Sequence, residues 1–331
     1  MMLSLRRTGI LFMALVLCLI LVLPSVSCGQ DKYPTKGVEL VIPWGPGGLS
    51  DVSGRIFAHE LSKLLNVTFT PVNKPGGSGF VGANYVAHHA KIDGYSLLAN
   101  TQGSMIMAAL TLPDPPFDVL RDFVPICIFT FSPSILFVRK DSPLKTLEDL
   151  VAEAKKNPGK LKYATAGVGI TEHLNVIQLE NGAKIRVTNI PYKSGGEVVT
   201  STMGGHSDFG SIGLVAVGNQ VAAGEVRGLA FSNKKRVPVL PDVPTLSEKF
   251  PSEFFFINWA GLFAPKGVAP SVVDVLVRAS EKVMKSQEFI TRIEKTGASV
   301  EYLSPEDTRK LIENEKKVAE KIIKDKGLSQ K

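Results

Sequence analysis

"GVELVIPWGPGGLSDVSGRIFAHELSKLL", Gly37 to Leu65, sets how the rest of the chain is read. A short apolar run closes at Trp44, "GPGGLSD" follows, and then Ile56, Leu61, Leu64 and Leu65 recur at helical spacing. This is a strand, a glycine-rich turn and a helix. The pattern returns as strand "VTFTPV", turn "NKPGGSG" and helix "FVGANYVAHHA". It returns again as "LKYATA", "GVGIT" and "EHLNVIQLENG", and once more as "RVTNIPY", "KSGG" and "EVVTSTMGG". Strands alternating with helices predict an α/β fold of parallel sheets covered on both faces.

Two of these turns fall before residue 85 and two between 165 and 197. Between the pairs, "VPICIFTFSPSILFVRK" is an apolar strand pair broken by Ser132-Pro133, and a helix start is marked by Thr146 and Asp149. This reads as a crossing between two lobes, with a return crossing near Arg227 to Pro244. The tail, "SVVDVLVRASEKVMKSQEFITRIEKTG" and "SPEDTRKLIENEKKVAEKIIKDKG", is expected to form two amphipathic helices on the first lobe. The expected organisation is a signal peptide over 1–28, the first part of lobe 1 over 30–130, lobe 2 over 131–235, and the return to lobe 1 with the C-terminal helices over 236–331.

The first 28 residues stand apart: Arg6 and Arg7, an apolar run from Ile10 to Leu23, then Pro24 and "SVSC". That run is shorter than the roughly 20 residues a membrane span needs, so it reads as a secretory signal and predicts an exported, periplasmic protein. Ser25 and Ser27 suit cleavage after Ser27, while Cys28 is a candidate lipidated first residue; both processing schemes stand. Cys127 then has no disulfide partner and reads as a small buried hydrophobe. The formal charge of +7 falls to about +5 without Arg6 and Arg7, and the surplus is spread out, a mild bias toward anionic small ligands. Lys234-Lys235-Arg236 lacks interleaved aromatics, so no nucleic-acid partner is expected.

Gly77-Ser78-Gly79-Phe80-Val81-Gly82 has the G-x-G-x-x-G spacing of a dinucleotide-binding turn. A nucleotide site also needs an acid at the end of the next strand to hold the ribose. Here "YSLLAN" ends in Asn100-Thr101-Gln102, and Asp93 precedes that strand, so no dinucleotide or other cofactor is expected. His59, His88, His89, His173 and His206 show no metal-ligand spacing, and Asp51, Glu172, Glu197 and Asp208 are too scattered to name a general acid and base. Glycine-rich turns at helix N-termini do suit anions. Each such end leaves about four N–H groups free and carries roughly half a positive charge.

With these residues in view, the chain resembles the tripartite tricarboxylate transporter solute receptors, the Bug or TctC-type extracytoplasmic binding proteins. "YPTKGVELVIPWGPGGLSD", "NKPGGSGFVGANYVA", "DGYSLLANTQGS", "SPSILFVRKDSPLKTLEDLVAEAKKNPGKLKYATAGVGITEHL" and "IPYKSGGE" match in order and spacing, from about Tyr33 to the last helix. The resemblance implies a type II periplasmic-binding fold, two α/β lobes joined by two crossings around a ligand cleft. It also implies a non-enzymatic receptor that delivers a small carboxylate or dicarboxylate to a membrane permease. Its two first-lobe loops and "GVGIT" would be the carboxylate pincers, and a monomer is expected.

On this reading the ligand-binding candidates are Trp44, Gly47, Gly48 and Asp51 from the first loop and Gly76, Gly77 and Ser78 from the second. Asn100, Thr101 and Gln102 follow at a strand end; Asp51 and Trp44 have alternative roles as a helix cap and a buried side chain. In the second lobe the candidates are Ala166, Gly167, Gly169 and Thr171, with Tyr192, Lys193 and Gly195 at the mouth and Asp208 reaching in. Gly79 and Gly82 are assigned to close helix packing and His173 to structure. The rival readings are an exported α/β enzyme acting on a carboxylated or phosphorylated small molecule, and a receptor feeding a sensor kinase.

Overall fold

The computed structural model describes residues 33–233, 236–237 and 240–325; the signal segment, Cys28 and Lys234-Lys235 lie outside the described residues. Strand β1 (Val38–Ile42) runs through the first glycine turn into α1 (Leu49–Leu65). Strand β2 (Phe69–Asn73) leads to a single 3-10 turn (Gly77–Gly79), then α2 (Phe80–Asn84) and a wider turn over Tyr85–His89. After β3 (Ser96–Thr101), β4 (Phe123–Ser132) ends at Pro133, and β5 (Ser134–Arg139) begins the second sheet. There follow α3 (Leu147–Lys156), β6 (Lys162–Thr165), α4 (Thr171–Ala183), β7 (Thr188–Pro191), α5 (Gly195–Met203), β8 (Phe209–Gly213), α6 (Leu214–Ala222), β9 (Val226–Phe231) and α7 (Leu246–Lys249). The chain closes with β10 (Asn258–Pro265), α8 (Pro270–Met284), α9 (Gln287–Glu294) and α10 (Pro305–Asp325).

The strands form two five-stranded sheets, in the orders β2-β1-β3-β10-β4 and β7-β6-β8-β5-β9. β1 is parallel to β2 and β3, and β6 to β7 and β8, as strands joined through helices must be. Each of the expected parallel sheets also takes in antiparallel strands: β10 runs antiparallel to β3 and β4, and β5 antiparallel to β8 and β9. The reason is geometric. β5 and β10 each receive the chain from the other sheet, at the edge where the parallel strands end, so each must run back against them.

The return crossing lies later than the sequence suggests. β9 and Thr245 still belong to the second sheet, where Phe231 and Thr245 form a bridge, and Leu246 and Phe255 pack in its core with Leu136, Tyr163 and Phe209. Phe256 joins the other core, with Leu98, Ile128, Trp259 and Phe263. The tail also differs, since "SVVDVLVRASEKVMKSQEFITRIEKTG" is two helices rather than one. Ser286 breaks it by capping α9 through a bond from Phe289 N–H to its Oγ at 3.3 Å. At the α3 start, Thr146 and Asp149 form the expected capping box. Cys127 is buried and free, and burial pushes its thiol up to about 12.

Helix α4 is apolar on two sides, which explains its lack of a polar stripe. Leu174 and Ile177 enter the first core, while Val176, Leu179 and Ala183 enter the second. It is further tied to the return crossing by Asn175, whose amide donates to the Phe256 carbonyl at 3.0 Å and accepts from Phe256 N–H at 2.8 Å. Packing of this one helix therefore sets how the two sheets face each other.

Candidate functional site: a cleft between the sheet ends

The carboxyl ends of the parallel strands in the two sheets meet. The Gly45–Gly48 turn lies against Ser194–Gly196: a Cβ placed on Gly45 would fall 2.8 Å from Ser194 Cβ, and one on Gly195 would fall 3.2 Å from Gly48 Cα. Gly82 fits the same economy of space on its own lobe, since a Cβ there would come within 2.8 Å of Pro43. Three side-chain hydrogen bonds join elements across the cleft. Ser78 Oγ donates to the Val168 carbonyl at 3.3 Å, Thr171 Oγ1 donates to Gln102 Oε1 at 3.0 Å, and Asn258 Nδ2 donates to Glu172 Oε1 at 2.6 Å.

Inside this apposition is a cavity of about 30 Å³ walled by Trp44, Leu49, Thr101, Ala166, Gly195, Ile212 and their neighbours. Helices α1, α4 and α6 all begin at it. Their N-cap residues, Gly48, Ile170 and Gly213, line the space, and none of the three helices has a side-chain cap. The initial N–H groups of an α-helix have no partner within the helix, so three partly positive ends converge on one cavity. Ser50 and Asn258 also line it, and Ser50 Oγ and Asn258 Oδ1 are buried without a hydrogen-bond partner.

Glu172 forms the acidic side of the cavity. Its carboxyl is almost wholly buried, and burial pushes it up to about 7 against the pull of N–H donors at its own residue and Gly213 and of the Asn258 amide. The next residue, His173, is held neutral: burial lowers it to about 4, and its Nδ1 accepts from Gly169 N–H at 2.8 Å. That bond fixes the "GVGIT" loop on its helix, the structural role expected of this histidine.

Asp51 organises the first loop. Oδ2 accepts from Gly47 N–H at 3.1 Å, and Oδ1 accepts from Arg55 Nε and Asn73 Nδ2, both at 2.9 Å. Burial pushes this carboxyl up, but the Arg55, Asn73 and Gly47 bonds outweigh it and hold Asp51 below its ordinary value. The Gly47 N–H is thus engaged with Asp51 in this structure.

Of the residues singled out in the sequence, Trp44, Gly48, Thr101, Ala166 and Gly195 line the cavity. Asn100 stands behind it, accepting from Trp44 Nε1 at 3.0 Å and donating to Ser104. Gln102 and Thr171 are bonded to each other, Ser78 and Gly167 face one another at the rim, and Gly76 and Gly77 form the turn before Ser78. Tyr192 turns its hydroxyl to Ser201 Oγ at 2.6 Å, and Lys193 is exposed.

Asp208 does not reach the cleft. It precedes β8 and accepts from Lys162 N–H at 2.7 Å, whereas the cleft lies beyond the other end of that strand, at Gly213. At about 3.3 Å per residue the strand itself separates the two. The other seven lining residues, Leu49, Ser50, Ile170, Glu172, Ile212, Gly213 and Asn258, were not among the ligand-binding candidates. Asn258 carries a readable signal, a polar residue inside the apolar run "FFFINWAGLFAP".

A sequence profile described as the tripartite tricarboxylate transporter family receptor matches residues 54–328. BugT of Bordetella pertussis is 30% identical over 294 residues, 88% of this chain and 89% of its own. Among solved structures, the periplasmic binding protein BugD superposes with a TM-score of 0.83 at 28% identity, over 90% of this chain and 100% of its own. A Rhodopseudomonas palustris protein solved with adipate gives 0.84 at 29% identity, over 88% and 97%. MatC of Rhodopseudomonas palustris, solved with bound malate, gives 0.82 at 27% identity, over 88% and 100%. The two lobes described above are thus those of a periplasmic binding protein, and the chain belongs to the tripartite tricarboxylate transporter receptor family.

Proposed function

We propose that this receptor captures a small carboxylate or dicarboxylate in the cleft between its lobes and delivers it to a tripartite tricarboxylate permease. The observation that carries the reading is the convergence of three helix N-termini without side-chain caps, at Gly48, Ile170 and Gly213, on one cavity. A carboxylate there receives hydrogen bonds and favourable dipole energy together, with about 1.5–3 kcal/mol for each bond to the charged group. Adipate and malate in the two Rhodopseudomonas palustris relatives support the ligand class.

The assigned contacts are backbone N–H groups at Gly48–Ser50 and Ile170–Thr171, with Trp44, Thr101, Ala166 and Gly195 as walls; the Leu214 N–H is already given to the Pro133 carbonyl at 2.9 Å and Gly213 N–H acts on Glu172. Gly76, Gly77, Ser78, Gly167, Tyr192 and Lys193 belong to the rim. The cavity is read as the closed cleft, from which the lobes part to admit the ligand and close on it again. The ligand favours the closed arrangement only to the extent that it binds that arrangement more tightly than the open one. A monomeric, non-enzymatic protein exported to the periplasm, free or anchored through Cys28, fits this cycle.

Calorimetry and thermal shift against succinate, malate, glutarate and adipate test the reading, with the mixture followed by NMR. Stabilisation without chemical change is the expected result. Conversion of any bound acid overturns it in favour of the exported enzyme, and binding by none of these acids or of their 2-amino counterparts removes the carboxylate assignment.

A further inference from the structure

The cavity is not uniformly suited to an anion. Among its helix ends stand acceptors: the Glu172 carboxyl in the first turn of α4, whose Oε1 takes the Asn258 amide at 2.6 Å, and Asn258 Oδ1 itself. Asn258 is 3% exposed, and because Nδ2 is spent on Glu172, Oδ1 is left buried without a donor. The groups acting on Glu172 are N–H donors at its own residue and at Gly213 and the Asn258 amide, none of them cationic. A buried carboxylate held by neutral donors alone, beside an orphaned amide oxygen, lacks both a positive charge and a hydrogen-bond donor.

We propose that the ligand is a 2-amino carboxylate, bound as a zwitterion, with its carboxylate at the starts of α1 and α4 and its ammonium between Glu172 and Asn258 Oδ1. This rests on the reading of the cleft as a carboxylate site and names the class of carboxylate. An ammonium group supplies three donors and the missing charge. A 2-hydroxyl supplies one donor and leaves Glu172 uncompensated, and an unsubstituted diacid supplies neither. Burial pushes Glu172 up to about 7 against the pull of its N–H donors, and an adjacent ammonium lowers it. Ser50 Oγ, also buried without a partner on the same wall, is free to donate to the ligand carboxylate.

The test compares 2-amino acids with their deaminated and 2-hydroxy twins by calorimetry at pH 7.5. The sets are aspartate, succinate and malate; glutamate, glutarate and 2-hydroxyglutarate; phenylalanine, 3-phenylpropionate and 3-phenyllactate. The expected result is that in at least one set the amino acid binds tenfold or more tightly than both twins. In Glu172→Gln that preference should fall at least tenfold. A deaminated or hydroxy twin that equals or exceeds the amino acid in every set overturns the proposal and leaves the carboxylate receptor standing. So does a preference that survives intact in folded Glu172→Gln. If no acid of any set binds, both readings fall. The wild-type ratios decide the matter even if the variant does not fold.

Discussion

Asn258 Nδ2 donates to Glu172 Oε1 at 2.6 Å, tying the first residue of β10 to the first turn of α4 across the cleft. The bond relieves a carboxyl that burial has raised to about 7. Asn258→Ala removes the donor and leaves Glu172 without a side-chain partner, at a cost of about 1–3 kcal/mol near neutral pH. The folded value lies above the ordinary 4.5, so below pH 4.5 Glu172 is protonated in both states and the loss of the donor matters less. Denaturant titrations of both proteins at pH 4.5 and 8 should show the gap widening at the higher pH; an equal gap would refute the coupling.

Glu315 offers a second titration, away from the cleft. Its Oε2 accepts from Trp259 Nε1 at 2.8 Å with the Gln102 amide alongside, and burial pushes it up to about 7. The folded state binds the proton more tightly than the unfolded one. Its contribution to stability is therefore fully present below about pH 4.5 and is lost as pH rises through 7. Glu315→Gln cannot ionise, so relative to wild type it should gain about 3 kcal/mol between pH 4.5 and pH 8. Chemical denaturation across that range checks it, and a pH-independent difference would remove Glu315 as the source.

These two acids also mark the limit of sequence reading. The four glycine turns were legible because a strand, a turn and a helix each leave a local periodicity, and the Thr146 cap because both partners lie within one turn of helix. Phe255 and Phe256 were not: they are adjacent, alike and in different cores, and only long-range packing says where the chain crosses. The antiparallel course of β5 and β10 was hidden for the same reason, since alternation of elements carries no record of which sheet a strand joins. Glu172 and Asn258 lie 86 residues apart, and their pairing depends on the same crossing. Asp208 was misplaced because position along a strand decides whether a side chain reaches the cleft, and residue type does not.

Asp51 predicts a loop effect. Every group that faces its carboxylate is a donor: Gly47 N–H on one oxygen, Arg55 and Asn73 on the other. Asp51→Asn places an NH₂ against one of those donors with almost no change in shape. The expected loss is about 1–3 kcal/mol of stability, because a part-buried donor is left unpaired and the Arg55 ion pair is lost. Ligand affinity should also fall roughly tenfold as the Gly45–Gly48 turn loosens, the equivalent of about 1.4 kcal/mol. Calorimetry together with thermal melts would show both; a variant with unchanged melting and affinity would mean that the turn holds without this anchor.

Gly45 tests whether the apposition seen here is the ligand-holding state. A Cβ at Gly45 would lie 2.8 Å from Ser194 Cβ, closer than two non-bonded carbon atoms sit, and Ser194 is fixed because its Oγ caps α5 by accepting from Glu197 N–H at 3.3 Å. The clash is between lobes, so Gly45→Ala is relieved when they part and acts only on closure. The variant should melt within a few degrees of wild type without ligand, yet bind the cognate acid at least tenfold more weakly. Small-angle scattering should show it failing to contract when the acid is added. Affinity within twofold of wild type, with normal contraction, would mean that the ligand is held with the Gly45 and Ser194 turns apart.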